Sequence, residues 1–296
     1  MRIAVTGQAG QVVTSLVERG AATGHHVIAI GRPQLDLADP ASVMRALEAA
    51  APDAIVSAAA YTAVDKAESE SDLAHAVNGA GAQAVAQAAK TLCVPLVHVS
   101  TDYVFDGTLD RPYVESDPTG PTGVYGASKL AGEQAVLATH GDNSAIVRVA
   151  WVYSPFGANF VKTMLRLAAD RDEVSVVADQ IGNPTSALEI ADGILRIATN
   201  LVSDSNPALR GVFNMTAHGE ASWADFAEAI LATSVARGGP SASVRRIGTV
   251  DYPTPATRPA NSRLDCGLIA RVHGVALPNW HGSLDTVIAR LITAAN

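Results

Sequence analysis

The chain has 296 residues, of which 48% are hydrophobic and 17% charged, and its formal net charge is −8. These proportions exclude an intrinsically disordered chain, and the length suits one large α/β domain or two smaller ones. A negative net charge without clustered Lys and Arg argues against binding to nucleic acid or to an anionic membrane surface, because both need a dense positive patch.

No segment has the features of a signal peptide or of a membrane span. The N-terminal MRIAVTGQAG leads directly into a strand-like run, and no apolar segment reaches the roughly 20 residues that cross a bilayer. Cys93 and Cys266 lie far apart without CxxC or zinc-ligand spacing, and the eight histidines form no HExxH pair. We therefore predict a cytoplasmic protein with no disulfide framework and no metal site.

The first half of the chain alternates strand-like apolar runs with segments of helical periodicity. The predicted strands are RIAVTG, HVIAI, DAIVSAAA, PLVHVS and SAIVRVAWVY. The predicted helices between them are VVTSLVERGAA, ASVMRALEAA, LAHAVNGAGAQAVAQAAK and a segment that begins near Tyr125. Continuous hydrophobicity in the strands indicates burial on both faces, as in a parallel sheet with helices on each side. This predicts a Rossmann-type α/β fold, a doubly wound parallel sheet, with residues 1–153 as the dinucleotide-binding domain.

The regular alternation weakens after Tyr153. The predicted elements there are a helix NFVKTMLRLAAD, a strand VSVVAD, a helix from about Ala187 to Val202, the run GVFNMTA, a helix SWADFAEAILATSVA, the Pro-rich DYPTPATRPANSR and a last helix near Ser283 to Ala294. We expect residues 154–296 to form mainly a smaller α/β lobe that binds substrate over the cleft. For the segments around 174–202 and 245–265, a place in the first domain is left open as an alternative.

The first strand ends in TGQAGQVV, which places two glycines at the turn into a helix. Glycine lets the backbone approach a pyrophosphate closely, and a helix N-terminus supplies N–H donors and partial positive charge. Two glycines are also common in plain turns, and Val13 stands where a third glycine would bring helix and strand together. The position in the first βαβ unit favours a dinucleotide site contacted by Gly7, Gln8, Gly10, Gln11 and Val12.

The ends of the second and third strands indicate which dinucleotide is bound. The second strand ends in AIGRPQ, with Arg32 in place of an acidic residue that would bind a ribose 2′-hydroxyl. A cation there suits a 2′-phosphate and favours NADPH, with NADH as the alternative, although a solvated arginine explains Arg32 equally well. Asp36 and Leu37 are expected to flank the adenine. Small residues at the third strand end, which leave room for the cofactor or serve packing, are Ala58, Ala59 and Ala60.

The segment VYGASKLAGEQ places Tyr125 and Lys129 four residues apart on one helical face. A tyrosine with a pKa near 10 is a poor acid at neutral pH, and a nearby ammonium is expected to bring this pKa toward the working range. Tyr-x-x-x-Lys alone also occurs as an exposed amphipathic turn. The fourth strand ends in VSTDYVFDG, so Thr101 would add a hydroxyl to the same cleft. A long Pro- and Gly-rich stretch follows that strand and is expected to form one wall of the site.

Several blocks together resemble the extended short-chain dehydrogenase/reductase family, and within it the dTDP-4-dehydrorhamnose reductases. They cover nearly the whole chain: TGQAGQV, AAYTAVDKAES, VSTDYVFDG, PTGVYGASKLAGE, VRVAWVYS, VADQIGNPTSA and YPTPATRPANSRLD. The resemblance implies that Thr101, Tyr125 and Lys129 form a catalytic trio. It also implies that NADPH delivers hydride to C4 of a dTDP-linked 4-keto sugar, with the proton from Tyr125, and that Lys129 contacts the nicotinamide ribose.

The resemblance further implies a set of substrate contacts. Arg258 would hold the diphosphate of the nucleotide sugar, since a guanidinium fork matches its oxygens. The turn DQIGNPTS either packs or lines the nucleotide pocket. The implied contacts are Tyr103, Trp151, Asn159, Lys162, Gln180, Arg258 and Ser262, near Asp65, Lys66 and Glu68 of the third strand end.

Departures from the family pattern bear on the metal and on the reaction, and other functions are also considered. Some family members bind magnesium between subunits, but Ser15 and Leu188 stand near the carboxylate positions, so we expect no metal and leave a homodimer open. A 4,6-dehydratase would need Asp-Glu after the threonine, whereas this chain has Asp102 and Tyr103. A nucleotide-sugar epimerase stays open, as does a non-catalytic NADP-binding subunit of methionine adenosyltransferase.

Overall fold

The computed structural model describes residues 1–293. Its strands are β1 (Arg2–Thr6), β2 (His26–Ile30), β3 (Ala54–Ser57), β4 (Leu96–Thr101), β5 (Ser144–Val149), β6 (Val152–Tyr153), β7 (Glu173–Val177), β8 (Ile181–Gly182), β9 (Thr185–Ser186), β10 (Gly211–Asn214), β11 (Ala221–Ser222) and β12 (Ser243–Ile247). Its helices are α1 (Gln11–Ala22), α2 (Pro40–Ala50), α3 (Val64–Ala67), α4 (Ser71–His75), α5 (Gly81–Thr91), α6 (Val124–His140), α7 (Phe160–Asp170), α8 (Ala187–Ser203), α9 (Trp223–Ala236), α10 (Gly267–His273) and α11 (Trp280–Thr293), with a π-helical turn at Ala76–Ala80. Ala294, the predicted end of the last helix, lies outside the described residues.

The main sheet has six parallel strands in the order β10-β5-β4-β3-β1-β2. Strand order reverses between β1 and β3, because β2 lies outside β1 while the later strands follow on the other side. This reversal creates a crevice at the carboxyl ends of β1 and β3, which is where such sheets bind ligands. The prediction of a doubly wound parallel sheet is confirmed.

Both faces of the sheet are covered by helices, as the continuous apolar strands predicted. Ile3 and Val5 pack in one buried cluster with residues of α1 and α8, whereas Ala4 and Ile55 pack on the opposite face with residues of α2 and α5. Successive side chains of a strand point to opposite faces, so a strand with helices on both sides is apolar at every position.

The chain after residue 153 divides between the sheet and a second lobe. Helix α8 packs against α1, and β10 pairs with β5 at the sheet edge. The run GVFNMTA, expected in the smaller lobe, therefore extends the main sheet. The second lobe has its own core around Tyr153, Phe226 and Trp280, with helices α7, α9 and α11 beside three two-stranded pairs. Strands β7 and β12 pair with each other in this lobe rather than in the main sheet.

Two predicted elements are interrupted where they approach the cleft. The run SAIVRVAWVY is not one strand, because Trp151 has a φ of +46°, which ends β5 and starts the short strand β6. The predicted helix LAHAVNGAGAQAVAQAAK contains the π turn at Ala76–Ala80. Single π turns within helices frequently mark functional positions.

No helix among residues 1–293 is both long and apolar enough to span a bilayer. Both cysteines are free thiols, with Cys93 exposed and Cys266 partly buried.

Close packing of α6 on the π turn gives a stability prediction. A Cβ at Gly132 would lie 2.2 Å from the backbone oxygen of Asn78, so Gly132→Ala must push the two segments apart. We expect a loss of at least about 2 kcal/mol in unfolding free energy, measured by chemical denaturation. Gly282→Ala is the control, since no neighbour lies within 4 Å of its Cβ position in α11, and it should be neutral or slightly stabilising. Equal stability of the two variants would contradict this packing.

Candidate active site

The turn from β1 into α1 has the backbone of an anion site. Gly7 has a φ of +106°, a conformation that glycine adopts without strain, and its N–H donates to Ile30 O at 2.7 Å. Gly10 precedes the helix, and no side chain caps the helix N-terminus. The first N–H groups of α1 therefore point into the crevice beside exposed Gln8, where they can bind a phosphate.

Val13 replaces the third glycine without disrupting this turn. Its side chain is 2% exposed and fills the space beside Gly7 within the core between α1 and the sheet. Thr6 Oγ1 accepts hydrogen bonds of 3.0 Å from the N–H groups of both Ala58 and Ala59. The ends of β1 and β3 are thereby held together across the reversal point, and Ala60 follows at the same edge.

The residues after β2 lie in two environments. Arg32 is exposed at the strand end, where its guanidinium is free to meet a ligand. Leu37 is 7% exposed and packs in the core beside Gly81. Asp36 Oδ1 accepts from Ala38 N at 3.0 Å and so stabilises its own loop. Leu37 thus takes part in packing and Asp36 in its own loop, and their predicted contact with the adenine stays a prediction.

Thr101 ends β4 and is followed by a buried carboxyl. Thr101 Oγ1 donates to Asp102 Oδ1 at 3.0 Å and accepts from Tyr103 N at 3.3 Å. Burial raises the pKa of Asp102 to about 6, while hydroxyls of Ser262 and Thr101 partly offset the shift by favouring the carboxylate. The predicted substrate residue Ser262 therefore lies beside the predicted catalytic threonine.

Tyr125 lies next to Thr101, as the sequence predicted, but its pKa moves in the opposite direction from the expected one. Burial and the Asp102 charge raise the pKa of Tyr125 to about 12, against a smaller lowering by the Thr101 hydroxyl. The expectation that Lys129 lowers this pKa is wrong, because Lys129 is directed elsewhere. Tyr103 packs edge-on against Tyr125 with 5.5 Å between ring centroids. The Tyr125 hydroxyl is therefore protonated at neutral pH.

Lys129 lies one helical turn after Tyr125 and is 3% exposed. Its Nζ donates to Val99 O at 2.7 Å. Burial lowers the pKa of Lys129 to about 8, although the carboxylate of Glu133 opposes the shift. The ammonium is thus present at neutral pH and is lost in mildly alkaline solution.

Asn78 is a site residue that the sequence analysis missed. From the π turn, its side chain accepts from Tyr61 N at 2.8 Å and donates to Tyr61 O at 3.0 Å and Ser128 Oγ at 2.9 Å. It therefore holds the loop after β3 against the helix of Tyr125 and Lys129. The available signal was the NGAG run within an apolar helical segment, because glycine is unfavourable inside a helix.

Arg258 and Asp65 form a salt bridge across the cleft. Arg258 Nη2 donates to Asp65 Oδ2 at 2.8 Å, and Asp65 Oδ1 accepts from Ala256 N. The other terminal nitrogen of Arg258 is buried without a hydrogen-bond partner among residues 1–293. Arg258, the residue predicted to bind the diphosphate, thus lies next to the loop after β3, and its Nη1 makes no hydrogen bond within residues 1–293.

The segment 151–162 carries three predicted substrate residues, and its side chains are engaged within the protein. Trp151 stacks on Trp223 with 3.6 Å between ring centroids. Asn159 caps α7 through Oδ1, and its Nδ2 donates to three oxygens, including Gln11 Oε1 at 3.1 Å. Lys162 Nζ donates to Pro155 O at 3.4 Å.

Gln11 joins the dinucleotide turn to this segment. Besides the bond from Asn159, its Oε1 accepts from Ser154 Oγ at 2.8 Å, and its Nε2 donates to Val152 O at 3.4 Å. Val12, the next predicted cofactor residue, is partly buried against the core under the sheet.

Gln180, a predicted substrate contact, is buried and donates a hydrogen bond of 3.0 Å to Thr249 Oγ1. This bond helps to pack the turn that follows β12.

No group of three or more His, Cys, Asp or Glu side chains within residues 1–293 is arranged to hold a metal ion. Ser15 and Leu188, which stand near the positions of the magnesium-binding carboxylates in some family members, are both buried.

Comparison with known proteins identifies the family. A family model described as RmlD substrate binding domain matches residues 1–293. The dTDP-4-dehydrorhamnose reductase of Sinorhizobium fredii is 50% identical over 292 residues, which are 99% of this chain and 98% of that protein. The chain belongs to the dTDP-4-dehydrorhamnose reductase family. The family resemblance read from the sequence is thereby confirmed, as is the prediction of an oxidoreductase.

Solved structures of dTDP-4-dehydrorhamnose reductases share this fold along the whole chain. The structure from Clostridium acetobutylicum has a TM-score of 0.90 and 34% identity, covering 99% of this chain and 100% of that one. The structure from Bacillus anthracis, which is a complex with NADP, has a TM-score of 0.88 and 35% identity, covering 97% and 98%.

The buried carboxyl of Asp102 predicts a pH-dependent stability. Its pKa in the folded protein, about 6, lies above the ordinary value of 3.8, so the folded state loses stability as pH rises from about 4 to 6. Above that window we expect Asp102→Asn to be more stable than the wild type by up to about 3 kcal/mol, and at pH below 4 the difference should vanish.

Chemical denaturation at several pH values measures this difference. Asp142→Asn is the control, because that side chain is 89% exposed. A difference between wild type and Asp102→Asn that stays constant from pH 4 to 7 would show that Asp102 does not titrate as a buried group.

Proposed function

We propose that the protein reduces the C4 keto group of dTDP-4-dehydro-L-rhamnose to give dTDP-L-rhamnose, with NADPH as the reductant. The observation that carries the proposal is that Tyr125 lies beside Thr101 at the carboxyl end of β4, on the same sheet edge as the dinucleotide turn after β1. Family membership supports the substrate, and the NADP complex of the Bacillus anthracis relative supports the cofactor.

The residues present fit a dinucleotide phosphate. The N-terminus of α1 has no side-chain cap, Gly7 has a positive φ and small alanines follow β3, so that backbone N–H groups can donate to a phosphate. Exposed Arg32 stands at the end of β2, where a guanidinium matches a 2′-phosphate better than a neutral ribose. When bound, NADPH supplies the hydride that reduces the carbonyl carbon.

The chain's own residues handle the carbonyl oxygen. When substrate binds, the Thr101 hydroxyl turns its single proton from Asp102 Oδ1 to this oxygen, which stabilises the negative charge that develops during reduction. Tyr125 donates its proton to the same oxygen, and its high pKa means that the proton is present at neutral pH. Lys129, charged below pH about 8, lies one helical turn after Tyr125 with its Nζ bonded to Val99 O, and its expected contact is the nicotinamide ribose. Arg258, with one buried free donor, binds the diphosphate.

Reduction is favoured over the related chemistries by the residues after Thr101. A dehydratase needs a second carboxylate as base, and Tyr103 occupies that position beside Asp102. An epimerase shares the Tyr and Lys and resembles this chain in fold; the Thermus thermophilus UDP-glucose 4-epimerase structure is 20% identical and therefore shows the fold alone. The free thiols suit a reducing compartment, so the cytoplasm stays our proposed location, while a homodimer stays a prediction.

Tyr125→Phe tests the proton donor. Loss of the hydroxyl should lower kcat with NADPH and dTDP-4-dehydro-L-rhamnose by roughly a hundredfold or more, since general acid catalysis contributes about that factor. The dissociation constant for NADPH, measured by nicotinamide fluorescence, should stay within about threefold because the ring remains. Tyr252→Phe, which alters an exposed tyrosine outside the trio, is the control. Unchanged turnover in Tyr125→Phe would remove this residue from the mechanism.

Arg32→Ala tests cofactor choice. Removing a charge-assisted contact to the 2′-phosphate should lower the ratio of kcat/KM for NADPH to that for NADH by about tenfold or more. Arg45→Ala, which removes another exposed arginine from α2, should leave the ratio unchanged. An unchanged ratio in Arg32→Ala would mean that Arg32 is a solvated surface residue.

A further inference from the structure

Helix α6 contacts strand β4 through three side chains spaced four residues apart. Tyr125 lies beside Thr101, whose hydroxyl partly offsets the effect of burial on the pKa of Tyr125. Lys129 Nζ donates to Val99 O, and Glu133 Oε1 accepts from Ser100 Oγ at 2.5 Å. Residues at this spacing lie on one helical face. The first two contacts belong to the proposed chemistry, whereas Glu133 lies two turns from Tyr125 and has no part in it.

Glu133 is also paired with a buried arginine. Arg148 Nη2 donates to Glu133 Oε2 at 2.6 Å and Arg148 Nε donates to Glu133 Oε1 at 2.9 Å. The side chains are 2% and 4% exposed for Glu133 and Arg148. Arg148 lies opposite Ser100 in the β4–β5 register, and the next pair is Thr101 opposite Val149. A single carboxylate thus binds both strands one residue before the catalytic threonine.

Stability alone does not account for such a pair. Removing two charges from water is costly, and apolar side chains of similar volume often stabilise a core as well as a buried ion pair does. Apolar side chains, however, form no directional hydrogen bonds and carry no charge. The Glu133 carboxylate fixes α6 along the strand axis through three hydrogen bonds, and it places a negative charge one helical turn from Lys129.

We propose that Glu133 is a positioning residue for the reduction: through Ser100 and Arg148 it holds the helix of Tyr125 and Lys129 against the end of β4, and it places a carboxylate one helical turn from Lys129. The proposal rests on the proposed function, because it assigns Glu133 a part in that same site. Glu133 acts through Lys129 and Tyr125 and touches neither substrate nor cofactor.

The charges around Lys129 give the direction of the effect. Glu133 on the same helix is the carboxylate that favours its ammonium, while burial opposes it. From β4, buried His98 faces Lys129 and is neutral, because burial and the Lys129 charge lower the pKa of His98. The further ionisable groups at this face are Arg148 on β5, Asp102 after β4 and Tyr125 on α6 itself. The π turn and α5 present Asn78 and Ala82 to α6.

Glu133→Gln tests the charge with little change in shape. Without the carboxylate, the pKa of Lys129 should fall, so the alkaline limb of the kcat/KM profile for NADPH should move down by about one pH unit from its wild-type position near 8. The defect of the variant should therefore be several-fold larger at pH 8.5 than at pH 6.5. A residue with only a structural role would lower activity by the same factor at every pH.

A double variant guards against misfolding, because Glu133→Gln leaves Arg148 buried without its counter-charge. Glu133→Met with Arg148→Met replaces the pair by apolar side chains of similar length, which a core tolerates. We expect it to fold, to have a lower kcat and to shift the alkaline limb downward by less than Glu133→Gln does, because the positive charge of Arg148 is removed together with the carboxylate. Asp285→Asn, which breaks the exposed pair with Arg237, is the control and should leave the profile unchanged.

The outcomes separate this proposal from the proposed function. If the wild type does not oxidise NADPH with the dTDP sugar, the proposed function fails; the pH dependence of NADPH binding by fluorescence then still reports on Lys129 and Glu133. If the wild type turns over and both Glu133 variants keep its alkaline limb, the positioning role of Glu133 is overturned.

Discussion

The site depends on the docking of helix α6 against the carboxyl end of strand β4. Tyr125 and Lys129 are on the helix and Thr101 is on the strand, so their mutual placement follows from how the two elements pack. Gly132 allows α6 to approach the π turn at backbone distance, and Asn78 ties that turn to Ser128 on the helix. These contacts are rigid and buried, and therefore preorganise the reacting groups before any ligand arrives.

Burial shifts the pKa values of Tyr125 and Lys129 in opposite directions. Desolvation penalises the charged form of each, so the phenol retains its proton while the ammonium becomes easier to deprotonate. The buried Asp102 next to Thr101 adds to the effect on the phenol. The phenol of Tyr125 thus keeps its proton at neutral pH because of burial and a neighbouring carboxyl.

The sheet and the strand-end residues could be predicted from the sequence because both follow from local pattern. Continuous apolar runs specify a sheet buried on two faces, and residues after each strand meet at one edge. The interruption at Trp151 could not be predicted, since its left-handed backbone occurs together with stacking on Trp223, which is 72 positions later in the chain. For the same reason the engagement of Asn159 and Gln180 with their own surroundings was hidden: hydrogen-bond partners distant in sequence leave no periodic signal.

The side chain of Gln11 has a consequence for any attempt to recombine this protein with its relatives. It extends from the start of α1 to the loop at Val152, Ser154 and Asn159, so one amide belongs to the first βαβ unit and to the second lobe at once. A chimera with its crossover near residue 153 would take Gln11 from one parent and Ser154 and Asn159 from the other, although these side chains bond to each other. A chimera that takes Gln11 and this loop from the same parent keeps these hydrogen bonds. The segments that should be exchanged together are therefore not contiguous in sequence.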